Sequence, residues 1–408
     1  MLWIVGHAFA DIRTYLHDRE ISFGVLINKN APQHRALAET RVAPVDFSSP
    51  ESLLASADAL DIDVSGILVA GYENYVLPAA ILSEHFHVPG LSQEVAAATT
   101  DKAIMRQKFI EYNPAIGPDY KKVTDWNDID SFMSSHHFPV MLKPTNLMKS
   151  LFITKNNSLD ELQRNYNEMV RQLAGLHDKL YTMTPPEIII EECLIGSMHT
   201  VAGYADADGN PHLFEQVVDC VTGQDVGFHE NYIYSRQLPS ILSQQQISEI
   251  LEVSRQGMLA LGLTSTMVHI ELMLTSDGPK LIEIGARIGG YRTRMYEYSS
   301  HIDLNKIMID LALGEQPNPT LGSRTDPIAV IELFPEAEGM FDHIINEQSL
   351  NQLPSLRHFS IKAESGKAVG RTSHGYKATA VVIIGNSDRS TFEADFAYIK
   401  QHVRVAIR

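Results

Sequence analysis

Two glutamates, Glu271 and Glu283, carry the chemistry that this sequence most plainly advertises. Each sits in an alternating segment: Val268-His269-Ile270-Glu271 and Leu281-Ile282-Glu283-Ile284-Gly285-Ala286-Arg287. Ser276-Asp277-Gly278 between them is a hairpin turn signal. A turn centred on Asp277 lies six residues from either glutamate, so the two face each other with Cβ atoms about 5 Å apart. Like charges that close repel unless a cation lies between them. Mg²⁺, a hard ion bound by one or two carboxylates and by substrate phosphates, meets that need.

The positioning elements read as follows. In residues 266–274, Met267, His269, Glu271 and Met273 share one face, and Thr266, Val268, Ile270, Leu272 and Leu274 the other. Upstream, Ser243 caps a helix whose apolar residues recur at helical spacing, and Gly262 stops it. The first ninety residues alternate strand and helix (2–5, 11–19, 22–27, 66–70, 77–86), a doubly wound α/β outline. One helix is expected over 92–112. Short strands follow near 120–123, 140–143 and 152–154, then a helix over 158–176 and a strand over 187–192. Strands at 201–205 and 212–217 flank the Asp208-Gly209-Asn210 turn. Past the acidic hairpin a helix spans 303–313. The Pro/Gly-rich stretch 314–326 then leads to strands and a terminal helix, a small α+β appendage.

Composition limits the functions open to the chain. It has 408 residues, 44% hydrophobic and 20% charged, enough for several domains. A formal net charge of -17 without a basic patch argues against nucleic-acid and anionic-membrane partners. Two cysteines, Cys193 and Cys220, give no disulfide framework, and a reducing cytoplasmic location is expected. No apolar run reaches the ~18 residues of a membrane helix.

Further segments stand in a recognisable order: Asp101-Lys102 with Met105-Arg106, Pro139-Val140-Met141-Leu142-Lys143-Pro144, and Ile190-Glu191-Glu192-Cys193-Leu194-Ile195-Gly196, then the acidic hairpin. Together they resemble the ATP-grasp superfamily of carboxylate–amine ligases, and within it the L-amino-acid (dipeptide) ligases. The resemblance covers residues 66–384. It implies an ATP-grasp fold, α/β and α+β, with a Rossmann-like N-terminal domain (1–92) and a helical linker (93–118). A small lobe or lid (119–195), a large lobe with the metal site (196–322) and a C-terminal α+β subdomain (323–408) complete it.

The implied activity joins an amino acid, activated as an acyl-phosphate, to a second amino acid or amine, with ATP consumed and Mg²⁺ or Mn²⁺ required. Small-molecule amino-acid substrates are the implied partners, and the terminal segment offers a surface for a homodimer. Other ligases of small-metabolite or nucleotide biosynthesis, or a nucleotide sensor without turnover, are the alternatives.

Site roles follow from the same resemblance. Lys102 and Lys143 contact phosphates, and Glu191, Glu192, Cys193 and Leu194 form the adenine hinge. Glu271 and Glu283 hold the metal. Arg287 stabilises the transferring phosphoryl group, a task suited to a planar fork. Gly289 and Gly290 let backbone amides approach an anionic intermediate. His269 contacts the phosphoryl group or substrate carboxylate, or else is a core histidine. Glu73 approaches the first substrate's amino group, or simply begins a helix. Arg236 and Tyr232, in the segment 225–239, shape the substrate pocket.

Three departures from the family pattern stand out. The phosphate-covering loop Thr145-Asn146-Leu147-Met148-Lys149-Ser150-Leu151 has no glycine, so Lys149 and Ser150 are expected to supply side-chain contacts. Gly285 stands where many members have a metal-binding Asn. Met198 replaces the ribose-binding acid, which leaves His199 as the expected ribose contact.

Overall fold

A computed structural model of the chain describes residues 1–6, 10–29, 41–60, 62–69, 71–147, 151–173, 183–227, 232–320, 325–370 and 376–408. Lys149 and Ser150 lie outside them. Four strands, in the order Arg41–Val45, Phe23–Asn28, Leu2–Val5, Gly66–Leu68, pair in parallel and open the chain. Their apolar runs are buried on both faces, as parallel sheets require. A four-stranded antiparallel sheet follows: Tyr120–Val123, Ile188–Glu192, Val140–Pro144, Thr154–Asn156.

The third sheet has nine strands and begins at the acidic hairpin. Its order is Gly278–Gly285, Thr266–Thr275, Gly196–Ala205, Val218–Thr222, Ile233–Leu238, Ile328–Leu333, Ala380–Gly385, Leu356–Ile361, and Pro211–Leu213 pairs with Gly196–Ala205. The C-terminal strands thus continue the large sheet, and only a three-stranded sheet around Gly339–Ile345 stands apart. The segment 225–239, read as a pocket-shaping region, places Ile233–Leu238 mid-sheet.

Val268, Ile270 and Leu272 bury one face of the hairpin under helix Gln244–Leu261. That helix starts at a Ser243–Gln246 capping box and ends at Gly262, whose φ of 68° only a glycine adopts cheaply. The helix expected over 92–112 is two. Asp101 adopts extended geometry, ends Gln93–Thr100 and caps Lys102–Tyr112 through the amides of Ala103 and Ile104. Among the described residues no helix is long and apolar enough to cross a membrane.

Candidate active site

Glu271 and Glu283 are cross-strand partners. The route to that pairing differs from the simple turn. Thr275 pairs with Gly278 and Leu272 with Leu281, the register of a two-residue turn. A bulge then leaves Ile282 unpaired and restores Glu283 to its place opposite Glu271.

Three residues from the first turns of one helix hold the peptide around Glu283. Lys102 Nζ lies 3.4 Å from the Glu283 carboxylate. The Ile284 amide donates to Met105 Sδ at 3.5 Å, and Arg106 Nη2 donates to the Ile282 carbonyl at 2.6 Å. The spacing 102, 105, 106 is the i, i+3, i+4 stripe of a helix. Arg106 is fully buried and its Nε donates to Glu191 Oε2 at 3.1 Å. Lys143 pairs with the other Glu191 oxygen. Two cations hold Glu191 below the usual carboxylate range although burial pushes the other way. Its carboxylate is thus turned to Arg106 and Lys143. Glu192 itself meets Lys280 at 3.1 Å, tying the hinge to the hairpin. Burial pushes the Cys193 thiol up, so it stays protonated.

In the same pocket as Lys102 and Glu283, Glu73 accepts at Oε1 from Arg287 Nη2 at 2.8 Å. Gly285 explains how an acid from the first domain arrives there: a Cβ on residue 285 would stand 2.4 Å from Glu73 Oε1. Burial, then the nearby Glu283 charge, push Glu73 up to about 7. His269 Nε2 is 3.2 Å from Glu271 Oε1. Burial, aided by Arg292 and Arg287, holds His269 down at about 4, so the neutral ring donates Nε2–H to Glu271. Burial raises the Glu271 carboxyl, but His269, Arg287 and Arg236 outweigh it and keep Glu271 at about 2. Gly289 packs against that ring, since a Cβ there would meet His269 Nδ1 at 2.5 Å, whereas Gly290 faces open space.

Two expected contacts, those of His199 and Tyr232, go elsewhere, while Arg236 stays on the Glu271 face. His199 pairs with Leu272, so strict alternation puts it on the face opposite Glu271. There it is buried, with Nδ1 2.9 Å from Asp219 and Nε2 2.7 Å from Ser197 Oγ, away from any ribose beside the acidic pair. Arg236 shares the sheet with the site but is committed to Glu332 at 2.8 Å, and Tyr291 donates to the other Glu332 oxygen. Tyr232 stacks obliquely on Phe334 at the margin of the C-terminal core, 4.5 Å between ring centroids.

Arg106 and Arg292 were missing from the sequence-derived site. For Arg106 a signal existed, its position four residues after Lys102. For Arg292 none did.

The sequence profile of a family described as ATP-grasp domain matches residues 136–295. Residues 136–295 are thus similar to an ATP-grasp domain. The fold of this chain is similar to the crystal structure of L-amino acid ligase from Bacillus licheniformis, with a TM-score of 0.80 at 17% identity over 100% of this chain and 98% of that one. Among curated relatives, it is 29% identical to phosphoribosylamine–glycine ligase of Methanobrevibacter smithii over 49% of this chain and 47% of that protein. It is 26% identical to alanine–anticapsin ligase of Bacillus subtilis over 65% of this chain and 58% of that protein. The chain thus spans about half the length of the curated relatives it matches.

The donor set fits Mg²⁺. Glu271 and Glu283 offer two hard carboxylates, and among the described residues no cluster of three His, Cys, Asp or Glu side chains surrounds one point. An ion that takes its remaining oxygens from phosphates and water suits such a pair.

Proposed function

We propose that this protein is an ATP-dependent carboxylate–amine ligase whose first substrate is an amino acid. A carboxylate oxygen attacks the γ-phosphorus of ATP, the bridging P–O bond breaks, and ADP leaves. The amine nitrogen then attacks the acyl carbon, phosphate departs with its oxygen, and the amine loses a proton. One observation carries this reading: an opposed glutamate pair with Lys102 at Glu283 and the Arg287–Glu73 pair beside them.

Glu283, Glu191 and Glu73 already have partners from the protein, and Lys102, Lys143 and Arg287 each have a second task. Lys102 and Lys143 leave Glu283 and Glu191 for the nucleotide phosphates, and Arg106 keeps Glu191 neutralised meanwhile. Arg287 turns from Glu73 to the transferring phosphoryl group. Glu73, released, takes the ammonium of the amino acid. Mg²⁺ held by Glu271 and Glu283 would neutralise charge on the ATP phosphates. The similarity to proteins named alanine–anticapsin ligase and L-amino acid ligase supports an amino acid as the acceptor amine too.

A screen of amino-acid pairs with phosphate release and mass-spectrometric products tests the reading. Expected are a dipeptide and ADP. AMP as product, or ATP binding with no phosphate released by any pair, refutes it, and the second outcome is that of a sensor. The relative named phosphoribosylamine–glycine ligase favours one further arm, phosphoribosylamine with glycine. A product there, and none with amino-acid pairs, moves the acceptor class to sugar amines.

A further inference from the structure

Arg292 differs from the other buried arginines of the site. It is 2% exposed, yet among the described residues no carboxylate oxygen lies within salt-bridge distance of its guanidinium. Arg106 has Glu191 and Arg236 has Glu332. Arg292 has only neutral hydrogen-bond partners: Nη2 donates to Thr200 Oγ1 at 2.6 Å and Nη1 to the Gly290 carbonyl at 3.2 Å and to Met295 Sδ at 3.6 Å, while Nε has no partner. A buried charge without a counter-ion is costly, and proteins keep one only where something else compensates it.

Its location says what does. Thr200 is the ladder neighbour of Glu271, so one arm ends in the row of the acidic pair. The other arm, with the Arg292 amide on the Gly289 carbonyl, grips the Gly289–Gly290 turn from both carbonyls. That grip holds Tyr291 at φ 62°, a conformation a tyrosine adopts only when its surroundings enforce it. The amides of Gly289 and Gly290 donate to no backbone carbonyl among the described residues, and Arg287 Nε is another buried donor without a partner.

We propose that Arg292 is a positioning residue of an oxyanion subsite at the Gly289–Gly290 turn. It fixes the turn so that the glycine amides and Arg287 face a phosphoryl oxygen, and its uncompensated charge is balanced when that anion arrives. The identity of the anion as an acyl-phosphate rests on the ligase reading. The subsite itself does not.

The probe is inorganic phosphate with MgADP, read by thermal shift without turnover. Wild-type protein gains a phosphate-dependent rise in Tm. R292M, which replaces an unpaired buried charge by an uncharged chain of similar reach, melts no lower than wild type without ligand. It loses at least three quarters of the phosphate-dependent rise, and kcat falls at least a hundredfold with the KM for ATP within threefold. A purely structural arginine gives the opposite pair, a lower ligand-free Tm with the rise intact. That result, or no phosphate-dependent rise in the wild type, overturns the proposal.

Should R292M not fold, R292K decides. It keeps the charge but not the two-armed grip, so at least half the rise survives while kcat drops tenfold or more. No surviving rise, or wild-type kcat, refutes the assignment. Failure of the amino-acid screen leaves these Tm readings unchanged, so the two ideas fail separately.

Discussion

Replacing Arg106 by Met tests the idea that Glu191 has two cations so that one can be lent out. In the ligand-free protein the change is tolerable. Lys143 still neutralises Glu191, and the principal loss is the charged hydrogen bond to the Ile282 carbonyl, worth about 1.5–3 kcal/mol. With nucleotide bound the balance shifts. Lys143 can reach a phosphate only by abandoning Glu191, which then lies buried with no counter-ion. Breaking such a pair costs about 3–5 kcal/mol. At 1.4 kcal/mol per decade, water entering the gap discounts this to a roughly tenfold to thousandfold weaker nucleotide. Calorimetric titration with MgADP measures it directly, and R106K, which keeps the charge, should remain within tenfold of wild type. A Kd for R106M within twofold of wild type refutes the reasoning, because Lys143 would then not be the group that moves.

Three more changes probe the same chemistry from other sides. G285A places a methyl group 2.4 Å from Glu73 Oε1. It should raise the KM for the first amino acid at least tenfold and leave MgADP binding within threefold, and an unchanged KM removes Glu73 from substrate binding. Because burial and Glu283 lift Glu73 to about 7, only its ionised form above that pH holds an ammonium. The logarithm of kcat/KM for the amino acid therefore rises to a plateau near pH 7, and E73Q abolishes that limb. The linkage has the opposite sign for stability. The native state binds the extra proton, so Glu73 lowers stability as pH climbs from its unfolded value of about 4.5 to 7. G289A should lower Tm and kcat, since its methyl meets His269 at 2.5 Å, whereas G290A meets nothing within 4 Å and should leave Tm unaltered. Equal Tm losses in the two variants contradict the packing argument.

How much could be read from sequence depended on which residues were within reach of one another along the chain. Glu271 and Glu283 share a hairpin, so alternation and a turn signal sufficed to oppose them. Even there the bulge at Ile282 compensated for a tighter turn than the symmetrical one. His199 was misplaced for a local reason: the motif supplied a position, while period-two alternation, applied one residue on from Met198, points it to the opposite face. The partners of Arg236 and Tyr232 could not be read for a distant reason. Their partners Glu332 and Phe334 lie about a hundred residues downstream, beyond the connector that reads as a domain boundary. The unassigned helix Arg292–Ser300 lacks a local start signal, because its cap is Tyr291 in left-handed geometry. Burial of Arg106 and Arg292 is a tertiary property, and nothing in a string of letters separates them from solvated arginines.

Glu73 reaches its partners from two hundred residues away, through a gap that exists because position 285 has no side chain. On the proposed reading, nucleotide handling and choice of acid are built by separate stretches of polypeptide that share an apolar core as well as this hydrogen bond. A chain cut free of its opening seventy-odd residues would lay bare Met267, Ile288, Met295, Ile307 and Leu311, which pack against Leu2, Ile4, Val25 and Leu68. Exchange of that leading portion between homologous chains becomes a route to new pairings, provided that residue 285 stays without a β-carbon.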